Sequence, residues 1–257
     1  VIGVAVRHLE SGAERRYRGD ESFPMASTYK VAIGACALRR VDAGELALDV
    51  PMPVEPRQRS TSSILSTYFP APGLAVSLRN LLELMLTQSD NTATDVILEA
   101  LGGGARVTAC LREAGVTDMR VDRSTAQILR DYAGLATPAD PELSSYDEFD
   151  ARLARSEAEA WFLDGGAPHY VAFERDPRDQ ATPAAMTRLL ALLWQDAWLS
   201  VDSGGCCARS SVAVRNPYGS AAACRTALPS RTRRARWPAR RTTPESCRCP
   251  TAWDISS

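Results

Sequence analysis

The apolar patterning from which a fold can be built ends at Ser203. Up to that point, runs with helical or strand-like spacing follow one another; from 204 to 257 no period survives, and Arg, Cys, Pro and Ser dominate. Charge divides at the same place. The last segment carries ten Arg and no Lys against Glu245 and Asp254, a net of +8, whereas the preceding residues sum to −9 and the whole chain to −1. Five of the seven cysteines (Cys206, Cys207, Cys224, Cys247 and Cys249) lie beyond the break, with Cys36 and Cys110 before it. An odd count leaves at least one thiol unpaired and argues against a disulfide framework. The expected organisation is a folded domain over 1–203 and an irregular tail over 204–257.

A body of this length can bury a sizeable core. Hydrophobic residues make up 45% of the chain and charged residues 24%, the balance of a soluble globular protein. No apolar run is long enough to span a bilayer, and no signal peptide is visible. The chain opens directly on the strand-like "VIGVAVRHL", so the native N-terminus, with any export signal, is expected to lie upstream. "ERRYRGDESF" reads as a returning strand after the Ser11-Gly12 turn. Val31, Ala35, Leu38 and Val41 predict a helix from Ser27 to Asp42, closed by Gly44. "PMPVEPRQRSTSSILSTYFPAPG" reads as a surface connection. "SLRNLLELMLTQ", "NTATDVILEALGG", "ARVTACLREAGV" and "TPAAMTRLLALLWQDAWL" read as helices, the last with Pro183 in its first turn. Residues 121–180 are loop-and-helix material without a clear assignment.

Lys30 is the only lysine in the chain, and it stands three residues after Ser27 at a helix start. A serine hydroxyl is a poor nucleophile unless a neighbouring base takes its proton. Residues i and i+3 share a helical face, so the amine can reach the hydroxyl. Burial lowers a lysine pKa, leaving a neutral fraction that can act as a base. The competing reading is an accidental spacing with Ser27 as a cap. The second signal is "TQSDNTATD", a polar turn between two apolar helices. Ser89 can pass a proton, Asn91 offers an amide donor and acceptor, and Asp90 can pin the turn through backbone N–H groups. An Asx turn that merely caps the next helix is the alternative.

Together, in this order, the two motifs resemble those of the class A serine β-lactamases and their penicillin-recognising relatives, whose set is Ser-x-x-Lys, Ser-Asp-Asn and Lys-Thr-Gly. "FPMASTYK", "MLTQSDNTATDVIL", "GGGARVTACLREAGVTDMRVDR" and "DPRDQATPAAMTRLL" carry the resemblance, over roughly residues 1–203. It implies an α/β (α+β) fold in which an all-helical subdomain joins an antiparallel sheet flanked by helices, here without the N-terminal helix. It further implies Ser27 as acylated nucleophile, Lys30 as its proton partner, Ser89 as proton shuttle to the leaving ring nitrogen and Asn91 as the grip on a substrate amide. Asp90 is then structural, and the Ser27 N–H forms half of an oxyanion hole. The implied substrate is a β-lactam or a peptidoglycan-like molecule, the compartment periplasmic or extracellular, and the protein a monomer without cofactor or metal.

The chain departs from this family twice. The deacylating glutamate follows a Leu-Asp-Arg segment; here "VDRSTAQIL" places Thr125 at its position and Leu129 where an Asn is usual. Threonine cannot activate water as a carboxylate does. Glu157, Glu159 or Glu174 in the long insertion that follows could substitute, but read more simply as solvated surface acids. Second, Lys-Thr-Gly is absent. Codon degeneracy allows the tail to be read in a shifted frame. Cys206 to Ser211 then permits Leu-Leu-Arg-Ala-Val-Ile, and Pro229 to Ser257 permits a run beginning Val-Ala-His-Lys-Thr-Gly-Thr-Leu-Ala-Gly-Thr. The expectation is a frameshift near residues 200–205, which leaves the C-terminal strands missing or corrupted and apolar helix faces uncovered.

Other readings explain less. Arg231, Arg233, Arg234, Arg236, Arg240 and Arg241, with Trp237 and Trp253, could contact nucleic acid, but the frameshift accounts for the same arginines, and no nucleic-acid partner is expected. Cys247 and Cys249 with Cys206 and Cys207 match no structural zinc spacing. His8 and His169 read as surface or structural residues, and Cys36 as a small core residue. Within the resemblance, a slow-deacylating penicillin-binding protein, a peptidase-like enzyme and a non-enzymatic β-lactam sensor stand beside a true β-lactamase.

Overall fold

The apolar runs of the body fold as helices around one buried helix. The structure, a computed structural model, describes residues 2–132, 168–195 and 197–200. By its contacts the chain divides into Val1–Gly219 and Ser220–Ser257, and every described residue belongs to the first. The expectations for residues 204–257, and those for Glu157 and Glu159, lie outside the described residues.

Among these residues the elements run β1 (Val4–Arg7), β2 (Glu14–Tyr17), β3 (Phe23–Pro24), α1 (Tyr29–Asp42), β4 (Pro51–Pro53), α2 (Ile64–Tyr68), β5 (Ala75–Ser77), α3 (Leu78–Thr87), α4 (Asn91–Ala100), α5 (Gly104–Glu113), α6 (Thr125–Tyr132), α7 (Pro168–Arg175), β6 (Gln180–Ala181) and α8 (Pro183–Trp194). The central element is α4, buried at every position from Asn91 to Leu98. A helix enclosed on all faces needs neighbours on all faces, and α1, α2, α3 and α6 pack against it. α1 contributes a run of small buried residues, Ala32, Gly34, Ala35, Cys36 and Ala37. These admit close approach: a Cβ on Gly34 would already lie 3.4 Å from Leu86 and Met85 of α3. α3 inserts Leu78, Leu81, Leu82 and Met85, each at most 2% exposed, and each such side chain contributes roughly 2 kcal/mol of burial.

Among the described residues the strands form three separate antiparallel pairs, β1 with β2, β3 with β6, and β4 with β5. β1 alternates sides, as a half-covered strand must. The Thr187 hydroxyl of α8 donates to Ala5 O at 3.2 Å, while Val4 and Val6 are 43% and 60% exposed. Leu190 and Trp194, one turn apart on α8, are also exposed. β1 and β2 are thus a ribbon with one covered face.

Two expectations need correction. The α-helix begins at Tyr29, not at Ser27; residues Ala26–Thr28 form a 3-10 turn entered through a left-handed Ala26 (φ 44°). The "PMPVEPRQRSTSSILSTYFPAPG" stretch is not a surface connection. It contains β4, a 3-10 turn at Pro56–Gln58 and α2, and it buries Val54, Gln58, Ser60, Ser63, Leu65 and Ser66. One of its serines satisfies a backbone donor from inside: Ser63 Oγ caps α2 by accepting from Ser66 N at 3.0 Å.

Candidate active site

Ser27 is presented by a turn held from below. β3 pairs Phe23 with Ala181 and Pro24 with Gln180, and Met25 N donates to Asp179 O at 3.1 Å. The chain then passes through the strained Ala26 and is tied again where Thr28 Oγ1 donates to Met25 O at 2.5 Å. A left-handed non-glycine residue costs about 1–3 kcal/mol and persists only where its surroundings enforce it. Ser27 is exposed, its carbonyl accepts from Tyr29 N, and its hydroxyl makes no hydrogen bond among the described residues.

Lys30, 2% exposed, points into the polar turn before α4. Its Nζ donates to Ser89 O at 2.6 Å, Ser89 Oγ at 2.9 Å and Asn91 Oδ1 at 2.6 Å. The amine, expected beside the Ser27 hydroxyl, thus spends three donors on residues 89 and 91, and no hydrogen bond joins it to Ser27. Burial pulls its pKa down to about 8, while the opposite charges of Asp95 and Asp90 act the other way. Ser89 has a left-handed backbone (φ 57°), so both Ser27 and Ser89 lie at strained turns. Asn91 Nδ2 donates to Thr61 O at 2.7 Å. With its oxygen engaged by Lys30, Asn91 has one amide hydrogen left to offer.

Asp90 does more than pin its own turn. Its carboxylate, 1% exposed, caps α4 through Ala93 N at 2.8 Å. It also accepts from Ser63 Oγ at 2.9 Å, Ile64 N at 2.6 Å and Leu65 N at 3.2 Å. One carboxylate therefore fixes the start of α4 and lays the segment leading into α2 alongside the candidate site.

Thr125 opens α6 and is buried. Its hydroxyl shares a hydrogen bond of 2.5 Å with Tyr29 OH, and its N–H donates to Asp95 Oδ1 at 2.6 Å; Ala126 N donates to Asp95 Oδ2 at 3.0 Å. Burial raises the Asp95 pKa to about 6 despite these bonds and the attraction of Lys30. Burial, reinforced by Asp95, pushes the Tyr29 hydroxyl well up and keeps it neutral. Asp95 and Tyr29 went unread in the sequence. An acid one turn into the apolar run "NTATDVIL" was the available signal, since a carboxylate is rarely buried without a task.

A second unread feature is an ion cluster around Arg123. Arg123 Nε donates to Asp179 Oδ2 at 2.6 Å, and Asp179 Oδ1 accepts from Asp122 N and Arg123 N. Arg123 Nη1 reaches Asp131 at 2.5 Å and Asp176 at 3.2 Å, and the guanidinium lies 5.4 Å from the Phe173 ring centre. His8 is a surface residue: its Nδ1 shares a hydrogen bond with Ser11 Oγ, and its Nε2 lies 3.0 Å from Glu10. His169 falls in α7, its side chain outside the described residues, and Glu174 is exposed in the same helix. Among the described residues no group of His, Cys, Asp and Glu is placed to hold a metal ion, and no helix is long and apolar enough to cross a membrane.

This helical body, with a serine turn before α1 and a Ser-Asp-Asn turn before α4, is similar to solved structures of class A β-lactamases. A mutant of the class A β-lactamase of the last common ancestor of Gram-negative bacteria is 32% identical, with a TM-score of 0.60 over 83% of this chain and 64% of that one. A β-lactamase from Xanthomonas campestris pv. campestris is 25% identical, with a TM-score of 0.60 over 83% of this chain and 63% of that one. The chain thus spans somewhat under two thirds of the length of these relatives. The sequence profile of the beta-lactamase enzyme family matches residues 1–206, and the chain belongs to that family.

Proposed function

We propose that this body is a serine hydrolase unit that opens the β-lactam ring through an acyl-enzyme on Ser27. The observation that carries the reading is the buried Lys30 amine, with a pKa near 8, hydrogen-bonded to both Ser89 and Asn91. In its neutral form the amine has a lone pair. On this reading the Ser27 hydroxyl turns toward it, and no hydrogen bond of that hydroxyl among the described residues opposes the turn. Lys30 takes the Ser27 proton as Oγ attacks the lactam carbonyl. Ser89, already 2.9 Å from the amine, delivers a proton to the ring nitrogen as the C–N bond breaks, and Lys30 resupplies Ser89. The remaining Asn91 amide hydrogen holds the substrate side-chain carbonyl.

The second step is slow on this reading. Thr125 is no base, its hydroxyl is engaged by Tyr29, and both Asp95 oxygens accept backbone N–H groups. No carboxylate among these groups is free to activate water. The reading therefore favours acylation with slow release, the behaviour of a penicillin binder, and the absence of Lys-Thr-Gly from the sequence weakens substrate grip further. The test uses a chromogenic cephalosporin with intact-mass analysis, on the chain as it stands and on the frame-restored gene. The expected result is one acyl group per chain, located on Ser27, with a burst followed by slow turnover. Labelling that persists in Ser27→Ala overturns the assignment. Rapid sustained turnover overturns the slow-release part alone.

A further inference from the structure

We infer that Cys36 and Cys110 are a modification site: a thiol pair that a small-molecule disulfide oxidises to a disulfide stapling α1 to α5. The two helices pack against one another. Cys36 is buried in α1, and its Sγ lies 3.8 Å from Val107 O on α5. Cys110 is one turn further along α5, on the face that Val107 already presents to α1. The two thiols act on one another, Cys110 pushing the Cys36 thiol up and Cys36 pulling the Cys110 thiol down. Cys110 is only half-buried. The pair is therefore asymmetric, with a half-buried thiol that ionises more readily on α5 and a buried partner on the facing helix α1.

This asymmetry sets the order of reaction, because the thiolate is the nucleophile. The Cys110 thiolate attacks the external disulfide, forms a mixed disulfide and releases one thiolate. The Cys36 sulfur then attacks Cys110 Sγ, releases the second thiolate and gives up its proton. Two protein thiols are oxidised to one disulfide, the external disulfide is reduced to two thiols, and the two protons go to those thiols. The bond closes a long loop that contains α2, α3, α4 and most of α5, so the linked form resists unfolding.

The experiment uses the full chain with Cys206, Cys207, Cys224, Cys247 and Cys249 replaced by serine, incubated with oxidised glutathione in native buffer. Tryptic mapping without reduction should recover peptide 31–39 joined to peptide 107–112. The oxidised protein should melt roughly 5 °C or more above the reduced protein. Both Cys110→Ser and Cys36→Ala should lose that rise. Peptides that remain unlinked, glutathione retained on Cys110, or equal melting of oxidised and reduced protein would overturn the inference.

Discussion

Lys30 Nζ donates to Asn91 Oδ1 at 2.6 Å, joining α1 to the start of α4 across 61 residues of sequence. The bond exists because small residues let α1 approach α3 and α4 closely, so that a lysine in the first turn of α1 ends beneath the polar turn. Burial holds the amine near pKa 8. Acylation of Ser27 is expected to rise with pH through about 8, and to fall about tenfold per unit below it. Asp95→Asn removes a charge that holds the lysine pKa up, so stopped-flow profiles of this variant should shift to lower pH. A shift upward would refute the electrostatic argument.

The same amine makes stability depend on pH. An ordinary lysine titrates near 10.5, this one near 8. Between those values the unfolded chain binds more protons than the native one, so this contribution grows as pH rises and is lost as pH falls through about 8. The full span is about 3 kcal/mol. Lys30→Met should flatten urea-measured stability between pH 8 and 10, and an unchanged slope would count against burial as the cause.

Asp90→Ala strands four donors at once: Ser63 Oγ, Ile64 N, Leu65 N and Ala93 N. An ordinary helix cap is worth about 1 kcal/mol; here the loss should reach roughly 3 kcal/mol or more. Hydrogen exchange should quicken at residues 63–66 as well as at the start of α4. Acceleration confined to α4 would show that Asp90 is only a cap.

Arg123→Ala leaves the buried Asp179 carboxylate without its cation. Breaking such a pair costs about 3–5 kcal/mol. Because Asp179 O also receives Met25 N, the variant should lose Ser27 labelling together with stability. Stability loss with an unchanged acylation rate would separate the ion cluster from the serine turn.

Thr125→Glu supplies the carboxylate that the α6 start lacks. It should speed release of the acyl group, read as a higher steady rate after the burst, and reduce stability, because a second acid enters beside Asp95. No change in release would show that another feature limits deacylation.

Where a residue's task depends on its near neighbours, it was legible. The spacing of "SLRNLLELMLTQ" and "NTATDVILEALGG" specifies α3 and α4, since a 3.6-residue period buries one stripe or more. Asp90 before an apolar helix reads as a cap, and it caps α4 through Ala93 N. The remainder depended on packing. Nothing within a few residues of Lys30 shows that its donors go to residues 89 and 91 and not to Ser27. Nor does any local pattern join Arg123 to Asp179, or draw the serine-rich stretch before α2 inward over the Asp90 carboxylate. Such bonds follow from which helix lies against which. That is decided by the volume of side chains facing one another across α1, α3 and α4, a property of the assembled core that no single stretch of chain carries.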